Sequence, residues 1–159
     1  MKAFKSVNEI LKYAAAREAE AARLYSDIAG YLENKAMVKL FESIAREELR
    51  HKAKMEFELE KRGVVVANAV PLELFDDEPE LVTITAELAE DYQKALMLAA
   101  ERERISMRFY FDIALKADNE EMREVCLKLA EEEARHKALF DIGLETIAER
   151  KKPPPSPGK

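Results

Sequence analysis

At 159 residues the chain suits one domain, and its 48% hydrophobic and 36% charged residues with only four glycines favour long amphipathic helices over sheet. The net charge of −6, with acids and bases interspersed, leaves no basic stripe for a nucleic-acid backbone, and no run approaches the ~18 to 20 apolar residues of a membrane span. The one cysteine, Cys126, excludes an internal disulfide, and Met1-Lys2-Ala3-Phe4-Lys5 leads into no apolar signal segment, so the expected setting is soluble, reducing and cytoplasmic.

A capping box, Ser6-x-x-Glu9, opens helix A, expected over about 7–32. Its seam reads Leu11, Ala14, Glu18, Ala21, Tyr25, Ile28 and Leu32 at alternating spacings of three and four, the buried stripe of a bundle. Glu18 lies in that stripe, where an unpaired carboxylate is expensive; the alternatives are that it snorkels, or that the helix turns Ala15, Ala22 and Ala29 inward instead. Helix B, about 35–62, ends at Gly63, a residue suited to the left-handed C-cap. Its stripe is Phe41, Ile44, Ala45, Glu48, His51, Met55 and Leu59, again broken by polar residues, while Glu47 reads as part of a solvated face.

Residues 63–85, with Val64-Val65-Val66, Pro71 and the acidic turn Asp76-Asp77-Glu78-Pro79, break the helical period and form a crossover. Fully extended it reaches roughly 75 Å, against about 40 Å for helix B, so it is expected to return the chain to its starting end, with helix C parallel to A and D parallel to B. Thr83 or Thr85 caps helix C, about 86–117, with the stripe Leu96, Ala99, Glu103, Ser106, Tyr110, Ile113 and Ala117. Asp118-x-x-Glu121 is a second capping box, and helix D, about 119–150, turns Cys126, Leu129, Ala130, Glu133, His136, Phe140 and Leu144 inward. The bundle is expected to occupy 1–152, with the proline-rich tail 153–159 disordered or polyproline-like.

The tetrapeptide Glu48-Leu49-Arg50-His51 recurs 85 positions later as Glu133-Ala134-Arg135-His136, and it carries the only two histidines in the chain. The same offset aligns the surrounding sequence without a gap, including Leu11/Leu96, Arg17/Arg102, Glu18/Glu103, Tyr25/Tyr110, Asn34/Asn119 and Glu47/Glu132. The fold class that follows is all-α, a four-helix bundle of two repeated helical hairpins joined by a long crossover. Residues three apart share a helix face, so each Glu-x-x-His aims a carboxylate and an imidazole at one point. Glu18, Glu48, Glu103 and Glu133 with His51 and His136 then converge at one level of the core. Uncompensated, such a cluster costs several kcal/mol per ion or must protonate. Two divalent cations would balance four carboxylates, and one Glu from each of two helices with Glu-x-x-His from the other two is the di-metal constellation of ferritin-like bundles. Mixed oxygen and imidazole donors suit iron or manganese, with zinc as a third fit.

On these residues, and on the segments IAREELRHKAK and LAEEEARHKAL, the chain resembles the erythrin domain of rubrerythrins, in the ferritin-like di-iron carboxylate superfamily, over about Ser6 to Arg150. The resemblance implies two iron ions bridged by Glu48 and Glu133, with Glu18 and Glu103 as terminal ligands and His51 and His136 each completing one metal. It implies a peroxidase, in which the reduced pair gives two electrons to hydrogen peroxide, or to dioxygen. Two features depart from the family pattern. Ser106 stands where a further helix C glutamate is usual, since Glu101 lies roughly 200° around the helix from Glu103. One cysteine cannot build a four-thiolate iron site, so electrons are expected from an external donor such as rubredoxin. A ferroxidase feeding iron storage and a non-catalytic metal-stapled bundle are the alternative functions. Half-sites on separate hairpins lead to the expectation of a homodimer, with domain swapping as one route to it.

Overall fold

The computed structural model describes residues 4–66 and 92–150, and among them the chain forms four helices. Helix α1, Val7–Tyr31, begins where the Ser6 side chain accepts from the Glu9 amide at 3.2 Å, while the Glu9 carboxylate accepts from the Lys5 amide at 2.8 Å. Helix α2, Lys35–Lys61, starts at Asn34, with Oδ1 accepting from the amides of Ala36 and Met37. It stops at Gly63, which takes φ 72°. The amides of Gly63 and Val64 turn back to the carbonyls of Glu60 and Leu59, and Val64 packs on the core that holds Leu59, a complete Schellman motif. Helix α3 spans Tyr92–Leu115 and α4 spans Glu120–Arg150.

The start of α4 differs from expectation. Asn119, not Asp118, is the cap, with Oδ1 accepting from the Met122 amide at 2.9 Å. The repeat already aligned Asn119 with Asn34, so both hairpins close on the same residue by the same device. Residues 86–91, the two threonines expected to cap helix C, most of the crossover and the tail 153–159 lie outside the described residues.

Packing follows the seams. All seven stripe positions expected of α1 and all seven of α2 are buried, and Ala15, Ala22 and Ala29 are buried too, so α1 hides a wider face than its stripe alone. In the second hairpin only Ala117 and Leu144 are partly exposed. The core divides into two ends. One joins the start of α1, the end of α2, the end of α3 and the start of α4, through Ile10, Leu59, Tyr110 and Cys126. The other joins the opposite ends, through Ile28, Phe41, Leu96 and Phe140. Each hairpin is internally close-packed, and the two hairpins meet face to face.

This pairing corrects the expected chain direction. Tyr13 of α1 packs on Phe109 of α3 while Tyr25, further along α1, reaches Glu103, further back along α3. Likewise Glu47 of α2 meets His136 of α4, and Arg62 meets Glu121. Helix α3 therefore runs antiparallel to α1, and α4 antiparallel to α2. A parallel arrangement would set Tyr25 level with its counterpart Tyr110, seven residues or about 10 Å beyond Glu103. Facing the hairpins antiparallel instead lets each tyrosine approach the other half's carboxylate, and it opposes the dipoles of facing helices.

Candidate metal centre

Between the two apolar ends of the core lies a polar layer. Glu18 of α1, Glu48 and His51 of α2, Glu103 of α3, and Glu133 and His136 of α4 are all buried, with Glu103 at 0% and Glu48 at 1% exposure. Each lies on its helix's inward stripe, so the periodicity that builds the core also delivers the polar residues to it.

Glu48 lies between the two imidazoles. Its oxygens are 3.7 Å from Nδ1 of His51 and 2.9 Å from Nδ1 of His136, and the rings stack with centroids 5.4 Å apart. Neither approach is a hydrogen bond, and among the described residues both Glu48 oxygens, both Nδ1 atoms and Glu103 Oε2 are buried without a hydrogen-bond partner. Donor atoms of Glu48, His51 and His136 fall within 4.8 Å of one another, as do those of Glu103, Glu133 and His136. Glu18 belongs to neither trio but lies against Glu48. Buried polar atoms are seldom left unpaired. Lone pairs of carboxylate and imidazole facing one space are the donor set a divalent cation requires, so the residues fit a metal pair.

Proton positions agree. Burial, reinforced by contact with Glu48, pushes Glu18 well above the usual carboxylate range. Burial and the nearby Glu103 do the same to Glu133. For Glu48 burial is outweighed by the neighbouring Glu18, His136 and His51, which hold it below the usual range. Burial alone would lower His136, but its carboxylate neighbours, Glu48 first, push it up to about 8. The metal-free cluster compensates its charge with protons that a cation would displace.

Two pairs of residues outside the expected set also belong to the site. Glu47, expected on a solvated face, is only partly exposed: Oε2 lies 3.1 Å from His136 Nε2 and 3.3 Å from Arg135. Its repeat counterpart Glu132 lies 3.8 Å from His51 Nε2. The Glu47 carboxylate on His136 Nε2 holds the proton there and leaves Nδ1 free for a metal, while Glu132 lies beyond hydrogen-bond distance of His51. Arg17 and Arg102, also repeat counterparts, are buried cations. Arg17 bonds Glu20 at 3.3 Å, and Arg102 approaches Glu20 at 3.6 Å and lies over the Tyr25 ring. Burial would lower Arg102, but Tyr25, Glu103 and Glu133 hold it firmly protonated. The signal for all four was their retention in both halves of the repeat. Ser106 is buried at its expected turn, and Glu101 is occupied on the surface by Arg104, so neither adds a carboxylate to the layer.

The two tyrosines break the symmetry. Tyr25 donates its hydroxyl to Glu103, whereas the Tyr110 hydroxyl, equally buried, has no partner. Tyr25→Phe should therefore cost the metal-free protein about 1–3 kcal/mol by stranding a carboxylate oxygen, and Tyr110→Phe should leave stability unchanged or slightly raised. Urea unfolding of both variants checks the contrast.

The rubrerythrin family profile matches residues 9–142. Among solved structures, an uncharacterized conserved protein from Magnetospirillum magnetotacticum MS-1 shares the fold at TM-score 0.66 and 23% identity, with 96% of this chain and 99% of that one covered. No curated protein matches the chain in sequence. The bundle is ferritin-like, and no helix among the described residues is long and apolar enough to cross a membrane. Because the profile spans most of the chain and encloses every residue of the carboxylate–imidazole layer, the chain belongs to the rubrerythrin family, in the ferritin-like di-iron carboxylate superfamily.

Proposed function

We propose that the protein is a di-iron peroxidase that reduces hydrogen peroxide, or dioxygen, with electrons from an external donor. The observation that supports it is the convergence of four buried carboxylates and two buried imidazoles, in which both Glu48 oxygens, Glu103 Oε2 and both imidazole Nδ1 atoms have no hydrogen-bond partner among the described residues. In this reading Glu48 and Glu133 would serve both ions, Glu18 and Glu103 would be terminal ligands, and His51 and His136 would each complete one ion. A reduced iron pair supplies both electrons for H2O2 + 2e− + 2H+ → 2H2O. Glu47 orients the His136 imidazole, and Arg17 and Arg102 offset the surplus negative charge. Tyr110, kept neutral because burial raises its pKa, offers a hydroxyl proton inside the layer. The single cysteine is buried at 0% exposure, and burial pushes its thiol up to about 11, so it is a core residue and not an electron relay. The donor proposed is a protein of rubredoxin type, in a cytoplasmic setting.

Stopped-flow mixing of the di-ferrous protein with peroxide, and separately with dioxygen, tests the reading. The expected result is one fast oxidation per site with peroxide and then a halt until reductant is added. Slow oxidation by peroxide, or iron retained far beyond the paired sites, would transfer the function to ferroxidase and storage.

The assembly proposed is a homodimer. Light scattering should give at least twice the 18.2 kDa chain mass; a lone 18.2 kDa species at micromolar concentration would reject it.

A further inference from the structure

The repeat matches the two halves of the polar layer, but it does not match the space outside them. Beside His51 lies an open cavity of about 340 Å³, whose apolar wall is Leu11, Met55, Val125 and Leu129 and whose remaining lining carries five charged side chains, Glu58 and Glu132 among them. Moved by the 85-residue offset, those wall positions become Leu96, Phe140, Leu40 and Ile44 beside His136, and there the space is filled. Phe140 and Phe41 are fully buried with ring centroids 5.4 Å apart, and both pack on Tyr25. Gly143 lets the Leu96 side chain lie directly over the backbone, since a Cβ there would come within 3.2 Å of it. On the His51 side the counterparts of the two phenylalanines are Met55 and Cys126, and the counterpart of Gly143 is Glu58. The smaller Met55 and Cys126 fill less of their half than the two phenylalanines fill of theirs. The same half holds the unpartnered Tyr110 hydroxyl.

Size and chemistry narrow the occupant. A water molecule takes about 30 Å³ of liquid, so hydrogen peroxide would fill only a small part of the cavity and leave its apolar wall in contact with water. Cavities from about 300 Å³ upward suit organic ligands. Resting on the peroxidase reading, we propose that this cavity binds an organic hydroperoxide, with the apolar substituent against Leu11, Met55, Val125 and Leu129 and the O–O group at the His51 half of the layer. The balance is ROOH + 2e− + 2H+ → ROH + H2O: the O–O bond breaks, the distal oxygen leaves as water, and both electrons come from the reduced iron pair, itself restored by the external one-electron donor. The His136 half, sealed by aromatic side chains, admits no such substituent.

With only two histidines, access is countable. The full-length chain, stripped of metal, is treated with diethyl pyrocarbonate and the adducts are located by mass spectrometry. The expected result is modification of His51 and not His136, with His51 protected by cumyl alcohol, the product of cumene hydroperoxide reduction. Equal modification of both histidines, or of neither, overturns the one-sided cavity; modification of His51 without protection by the alcohol overturns the organic ligand. These outcomes need no turnover, so they stand apart from failure of the peroxidase reading. In the iron-loaded protein Met55→Phe, which copies the sealed half, should slow oxidation by cumene hydroperoxide by about tenfold or more, the scale of a changed apolar pocket, while oxidation by hydrogen peroxide changes much less. Equal slowing with both oxidants overturns the proposal.

Discussion

Glu48→Ala should empty both metal positions at once, whereas His51→Ala should weaken mainly one. Glu48 is the residue whose oxygens face both imidazoles, at 3.7 Å and 2.9 Å, so its removal opens the layer at the centre. Loss of an outer partner to a ligand already costs about 10–100-fold in metal affinity, and loss of a shared ligand should exceed that for both ions. Element analysis after ferrous reconstitution should give two ions per chain in the wild type and none in Glu48→Ala. Thermal unfolding adds an independent measure, because ligand at 100 times its Kd stabilises by ~2.7 kcal/mol. Retention of two tight ions by both variants would show that the ligands are assigned wrongly.

Glu133→Leu should have the opposite effect on the metal-free protein, raising its stability while abolishing the paired site. A buried acid with its pKa pushed up is a group the fold holds at a cost, and an apolar side chain of similar volume in its place relieves that cost. The pH dependence should change with it. Glu18 and Glu133 are raised from 4.5, and His136 is raised from 6.5 to about 8, so the folded metal-free chain binds more protons than the unfolded one across that interval. Stability from these groups is present at low pH and is lost as pH rises through the folded values. Glu48, held low, acts in the other direction only when pH falls below the ordinary carboxylate range. The metal-free melting temperature should thus fall between about pH 5 and 8, less steeply in Glu133→Leu. The loaded wild type should gain stability over the same interval, because cations and protons compete for the same atoms. A melting temperature of the metal-free protein that rises with pH would refute the proton assignment.

Inward stripes, a repeat at fixed offset and two histidines in matched tetrapeptides were enough to place Glu18, Glu48, His51, Glu103, Glu133 and His136 together, because helical period alone decides which residues share a face. The caps at Ser6 and Gly63 were equally legible, being local chemistry. Asn119 could have been read from its match with Asn34. Chain direction could not be read from sequence: the crossover is long enough for either course, and only the reach of Tyr25 to Glu103 and of Glu47 to His136 distinguishes antiparallel hairpins from parallel ones. The same packing turned Glu47 from a surface acid into a partner of His136 and buried Arg17 and Arg102 beside the carboxylates. It also made the halves unequal, filling the space beside His136 with Phe41 and Phe140 and leaving it open beside His51. Sequence fixes which side chains one helix turns inward; what those side chains meet depends on how separate helices approach, and that is decided by packing across the bundle.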